Sequence, residues 1–199
     1  MIYIYMKDFT SFFICIILVS IIYIKLETTF TEVNYMVSKI DGRKYLVRNL
    51  KDKQEAADLL ATIRKNLIRL SQELKKKNKN NVDIDRMINN FNPNNITESN
   101  ENNKYTSYSV NKGEKMVFCI RSRDSKNKLV DLNTIMFVAL HELAHTMTKS
   151  IGHTDEFWDN FRIILRNARK LGIYKRVNYN EKPVEYCGTK ITDDPENFS

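Results

Sequence analysis

The chain has 199 residues, 42% of them hydrophobic and 28% charged, a balance that excludes a wholly disordered or collagen-like polypeptide. Its net charge of +8 comes mostly from lysine in an Asn- and Lys-rich background; without a localised patch this reads as a solvated basic surface, with nucleic acid an open but unsupported partner. Three cysteines and no CxxC pair give no disulfide framework and favour a reducing compartment.

From Phe9 to Ile24 the sequence FTSFFICIILVSIIYI carries no charge and is bounded by Lys7–Asp8 and Lys25. As a helix this run covers about 24 Å, slightly less than the hydrocarbon core, and Leu26 with a snorkelling Lys25 extends it. No small-x-small cleavage site follows, so residues 1–30 are read as an uncleaved single-pass anchor that meets the membrane through residues 9–26. Lys25, Lys39, Arg43 and Lys44 lie downstream, against Lys7 alone upstream. That asymmetry places the following domain on the cytoplasmic or virion-interior side. Sequons at Asn95 and Asn197 matter only for the opposite orientation.

Residues 31–199 are expected to form one domain of ordinary size. Tyr35–Ile40 and Lys44–Val47, joined by Asp41–Gly42, have the pattern of a β-hairpin. Asp52 and Glu55 then resemble a capping box that opens an amphipathic helix, with Ala56, Leu59, Leu60, Ile63, Leu67, Leu70 and Leu74 on one face. Residues 75–104 contain eleven asparagines and read as a long loop with at most one short helix, a low-complexity insertion more than a lid. Strands are expected at Tyr105–Val110 and Met116–Arg121, turning at Gly113. A helix capped by Asp131 or Asn133 follows. It is apolar on nearly all sides, hence central to the domain, and stops near Gly152. Thr154 caps the next helix, whose stripe is Phe157, Trp158, Phe161, Ile164, Leu165 and Ala168, with a stop at Gly172 and an irregular or extended tail beyond.

All three histidines of the chain fall within HELAHTMTKSIGH, from His141 to His153. On a helix, His141 and His145 share one face a turn apart, as two ligands of one ion must, and Glu142 stands beside the first. This is the pattern of a zinc site with one ion per chain and an open position for water. His153 is favoured as the third ligand, brought back by the helix break at Gly152, with Asp155 and Glu156 as acidic rivals. Zinc lowers the pKa of a bound water to about 7 and polarises a carbonyl, and Glu142 is placed to serve as general base. A further oxyanion donor would be Tyr179 or Tyr186, although packing is the simpler role for a tail tyrosine.

The segment HELAHTMTKSIGHTDEFW resembles zinc metallopeptidases of the SprT, WLM and YgjP-like groups, which pair a helical HExxH with a later histidine and then an aromatic residue on the next helix, here Phe157–Trp158. With its Asn- and Lys-rich composition the chain is most similar to WLM-type metallopeptidases of large DNA viruses. The resemblance implies an α+β zincin-like fold, a small antiparallel or mixed sheet packed on a central HExxH helix. It also implies one zinc held by His141, His145 and His153, Glu142 as catalytic base, and a protein or peptide substrate. The eight-residue step from His145 to His153 excludes the metzincin spacing. Two further readings follow: a non-catalytic, zinc-stabilised, membrane-tethered binding module, and a DNA-associated protease of the crosslink-repair kind.

Overall fold

The computed structural model describes residues 12–25, 32–101 and 103–196. Helix α1 covers residues 12–25 with its apolar side chains exposed. The remainder of the expected 9–26 span, and the sequon asparagine Asn197, lie outside the described residues. Among the described residues no helix is long and apolar enough to cross a membrane.

Strands β1 (Val33–Val37) and β2 (Lys44–Arg48) form the expected antiparallel hairpin in a register that sets Tyr35 opposite Leu46. Gly42, at φ +69°, supplies the left-handed turn residue. The hairpin is tied to the next helix by Asp58, whose Oδ1 accepts from Ser38 Oγ and Lys39 N, each at 2.7 Å. Helix α2 (Lys53–Lys77) buries Ala56, Leu60, Ile63, Leu67, Leu70 and Leu74, the stripe seen in the sequence. Its expected capping box does not form. Asp52 makes no side-chain cap and instead meets Arg121 Nη1 at 2.5 Å. Arg121 is itself buried, and its Nε donates to Glu98 Oε1 at 2.7 Å. A buried guanidinium left without partners costs far more than a missing cap, which accounts for the exchange.

The asparagine-rich stretch 75–104, expected as a long loop with at most one short helix, holds that helix and more regular structure besides. Helix α2 runs on to Lys77, helix α3 spans Val82–Asn90, and strand β3 spans Ile96–Glu98. Asparagine here does capping and turning work. Asn81 Oδ1 accepts the amides of Asp83 and Ile84, both at 3.0 Å, and Asn92 Oδ1 accepts that of Asn94. Ile84 and Met87 are buried where α3 packs on the central helix.

The main sheet has the order β3-β5-β4, with β5 (Lys115–Phe118) parallel to β3 and antiparallel to β4 (Tyr108–Val110). It is the small mixed sheet of the expected α+β class, with β4 at its edge. Both strands are shorter than expected. The turn between them needs glycine, because a Cβ on Gly113 would stand 2.8 Å from both Asn90 O and Thr146 Cγ2 at a φ of +122°.

Helix α4 (Leu132–Met147) is capped by Asp131, which accepts the Thr134 amide at 3.0 Å. Ile135, Met136, Ala139, Leu140, Leu143, Ala144 and Met147 on it are fully buried, so it is the expected central helix. It ends at Met147, earlier than Gly152. Beyond the end, Lys112 Nζ gathers the carbonyls of Thr148, Lys149 and Ser150 at 2.9, 3.2 and 2.5 Å, a cation at the negative end of the helix. Helix α5 (Asp155–Lys170) is capped by Thr154 as expected and packs along α4.

The tail, expected to be irregular or extended, is extended in part and forms a second hairpin. Strand β6 (Val184–Tyr186) pairs with β7 (Thr189–Ile191) across a two-residue turn in which Cys187 and Gly188 both have positive φ. Cys187 is joined to Cys119, just past β5, by a disulfide. The expectation of unpaired thiols is thereby corrected, and with it the cysteine argument for a reducing compartment. With the partners 68 positions apart in the chain, sequence spacing gave no sign of the pair. The acidic end of the tail docks on the basic end of α5, where Arg169 Nη1 reaches both Glu196 oxygens at 2.9 Å.

Closing a loop between residues 68 apart is worth about 4 kcal/mol in the chain-entropy picture. Thermal melts with and without reductant are therefore expected to differ by roughly 10 °C, and unchanged melting would contradict the bond.

Candidate metal centre

Helix geometry does most of the placing. His141 and His145, four residues apart on α4, face the same way, with Nε2 atoms 3.2 Å apart. The turn 148–152 reverses the chain, with Gly152 at φ +85°, and brings His153 Nε2 to 3.0 Å from His141 Nε2. This turn is held from two sides. Lys112 takes its carbonyls, while Glu156 accepts the amides of Lys149 and Ser150 at 2.8 and 3.0 Å. Those amides and the Ser150 hydroxyl hold the Glu156 carboxyl down to about 2. Glu156 is thus a brace for the loop, and it turns away from the role of rival ligand. Asp155 begins α5 at the surface.

The three rings rest on Phe157, whose ring stacks on His145 at 4.4 Å and lies 4.9 Å from His141 and 4.7 Å from His153. Trp158 flanks His153 at 5.6 Å. The aromatic pair singled out in the sequence is therefore the floor of the histidine cluster. His141 and His145 are half-buried and His153 is exposed. Burial, then the neighbouring imidazoles, push His141 down to about 3; burial, then His153 and Lys112, push His145 to about 4.

One ligand atom from each histidine lies within 4.8 Å of the others, and among the described residues this is the one group of three or more such side chains that could hold a metal ion. The donor set fits zinc: a tetrahedral ion with Zn–N distances of about 2.0–2.1 Å requires nitrogens roughly 3.3 Å apart, close to the 3.0 and 3.2 Å found here. Rings kept neutral can each offer a nitrogen lone pair to a cation at the point where they converge.

Glu142 is buried at 6% exposure beside this cluster and accepts the backbone N–H of Ser109 on β4. Burial lifts its carboxyl to about 7. On one side of His141 and Glu142 lies an open groove of about 510 Å³ between β4 and the 151–153 turn. On the other is a recess of about 230 Å³ roofed by the β6–β7 hairpin. Tyr186 reaches this recess, with its hydroxyl 2.6 Å from Ser107 Oγ, and burial raises its pKa. Tyr179, the other tyrosine considered, packs in the core against Phe137 at 4.7 Å and lines neither side.

Sequence reasoning overlooked Ser107, Ser109, Lys112, Phe137 and Val138. Phe137 and Val138 were findable, since they stand four and three residues before His141 on its own helix face. The two serines and Lys112 carried no local signal, because only the sheet pairing brings them to α4.

Residues 38–196 match the WLM domain model, and the chain belongs to the WLM family, a family of metallopeptidases. Its relatives come from large DNA viruses. Uncharacterized protein R325 of Acanthamoeba polyphaga mimivirus is 34% identical over 183 residues, 90% of this chain and 92% of that protein. Uncharacterized protein 042R of Invertebrate iridescent virus 3 is 42% identical over 88 residues, 44% of this chain and 50% of the relative. Among solved structures, a mutant of Wss1 from Saccharomyces cerevisiae aligns with a TM-score of 0.47 at 20% identity, over 64% of this chain and 91% of that one.

The protonation energetics of the metal-free site have a definite sign. His141 and His145, depressed from 6.5 to about 3 and about 4, give stability that is present above 6.5 and lost as pH falls through those values. Glu142, raised from 4.5 to about 7, acts oppositely, with a contribution present below 4.5 and lost as pH rises through about 7. In chelator-treated protein, urea midpoints should therefore fall from pH 6.5 toward 4, and more steeply in Glu142→Gln. A Glu142→Gln profile no steeper than wild type contradicts the burial of that carboxyl.

Proposed function

We propose that this chain is a membrane-anchored, zinc-dependent metallopeptidase that hydrolyses peptide bonds with one zinc per chain. His141, His145 and His153 would hold the ion. The observation that carries this reading is the convergence of three imidazole nitrogens beside a buried glutamate, with substrate-sized space on either side. Zinc bound there supplies a Lewis acid and a water of lowered pKa.

The chain's own residues do the rest. Glu142, with a carboxyl near neutrality, is matched to taking a proton from the attacking water and returning it to the leaving amine. The Ser109 N–H fixes one side of that carboxyl and so aims it into the cleft. Phe157 beneath the imidazoles excludes water from their rear faces and holds their ring angles. Strand β4 is an edge strand lining the larger groove, which favours a substrate in extended form laid beside it.

Anchoring is inferred from the uncharged run 9–24, part of which is the exposed apolar helix α1. The downstream lysines and arginine favour the cytoplasmic or virion-interior face. Of these two, the Cys119–Cys187 disulfide favours the virion, away from cytosolic reductants.

Glu142→Gln is expected to keep one zinc per chain by elemental analysis and to lose about 10²- to 10⁴-fold in the rate of casein hydrolysis. A Glu142→Gln protein as active as wild type would remove Glu142 from the mechanism, whereas a zinc-loaded wild type that hydrolyses no casein would support a zinc-stabilised binding module instead.

A further inference from the structure

The recess under the β6–β7 hairpin is part of the same cleft, because His141 and Glu142 line it as well as the open groove. Its walls differ in character from the groove's. Phe137 and Val138 come from the α4 face that presents His141, one turn earlier. Trp158 and Phe161 come from α5, and Tyr186 and Ile191 close it from the hairpin. Six apolar or aromatic side chains thus surround a space that opens directly onto the catalytic glutamate. Hydroxyls and charges, among them Thr106, Lys190 and Asp193, also border the recess.

The size is informative. A cavity of about 150 Å³ lined by apolar side chains takes a benzene ring, and this recess measures about 230 Å³. It has room for a phenyl, indole or branched aliphatic group. Its hairpin wall is fixed in place by the disulfide at Cys187, the residue after Tyr186, and by the Ser107–Tyr186 hydrogen bond at 2.6 Å. A wall held covalently at the residue next to the pocket keeps its shape when empty, the condition for reading a side chain by fit.

Building on the peptidase reading above, we infer that this recess is the specificity subsite, and that the enzyme selects polypeptides with a large apolar or aromatic side chain next to the scissile bond. Transferring such a side chain from water into an apolar recess favours it over alanine by about tenfold to a hundredfold. A charged side chain would lose its hydration among Phe137, Phe161 and Trp158, since Lys190 and Asp193 stand at the exposed rim and the one buried charge-bearing group lining the recess is the catalytic Glu142 itself.

The test uses the zinc-loaded full chain, unfolded casein and a mixture of twelve-residue peptides randomised at their centre, with the cut ends sequenced. Phe, Tyr, Trp, Leu and Met should be enriched at least tenfold over Ala, Asp and Lys at one position flanking the cut. Val138→Trp, which fills the recess, should shift that position toward Ala and Ser. Because Trp158 is the single tryptophan of the chain, a readout free of turnover is also available. Titrating the Glu142→Gln protein with the preferred peptide should change Trp158 emission saturably, and the peptide with Ala at that position should need at least tenfold more. Cleavage without enrichment, an unchanged preference in folded Val138→Trp, or equal titrations with both peptides overturns the subsite and leaves the peptidase standing. No cleavage of casein or peptides by wild type overturns the peptidase itself, and the subsite falls with it.

Discussion

A carboxyl and two imidazoles on the most buried helix of the domain are the constraint around which the rest is arranged. Helix α4 is enclosed on nearly every side by apolar neighbours, and burying Glu142, His141 and His145 within it is unfavourable unless they are bound or paired. The protein answers by keeping the imidazoles neutral and the carboxyl near neutrality, and by bringing a third imidazole to the same point. A cation at that point would take the three converging nitrogens as ligands. The energetic cost of the polar cluster would thus become metal affinity.

Seen from that constraint, the peripheral pieces have distinct jobs. Lys112 and Glu156 grip the 148–152 turn from opposite sides, so the exposed His153 is delivered by a braced loop. Gly113 lets its turn lie against Asn90 and Thr146, which sets Lys112 over the end of α4. On the far side of the cleft the disulfide holds the β6–β7 hairpin and with it Tyr186. Even the buried Arg121 with Glu98 and Asp52 belongs to this scheme, since it joins the start of α2 to β3 and to the chain leaving β5, the strand that aligns β4 with the site.

The local parts of this arrangement were legible in the sequence. The 3.6-residue periodicity of α2 and α5, the Asp41–Gly42 turn, the Thr154 cap and the HExxH spacing each depend on residues within a turn or two of one another. His153 was legible because only three histidines exist and a glycine precedes the third. What escaped depends on contacts distant in the chain. The Cys119–Cys187 bond, the exchange of Asp52 from helix cap to Arg121 partner, and the arrival of Ser109 at Glu142 have no signature near either residue. Asparagine abundance misled at 75–104, since the same residue that marks loops also caps α3 through Asn81.

The central claim is that three imidazoles of one chain share one zinc, and X-ray absorption at the zinc edge of the purified protein tests it most directly. The account predicts one zinc per chain with three imidazole nitrogens at about 2.0–2.1 Å and one oxygen completing the shell. Sulfur in the first coordination shell, only two imidazoles, or protein that takes up no zinc would contradict it.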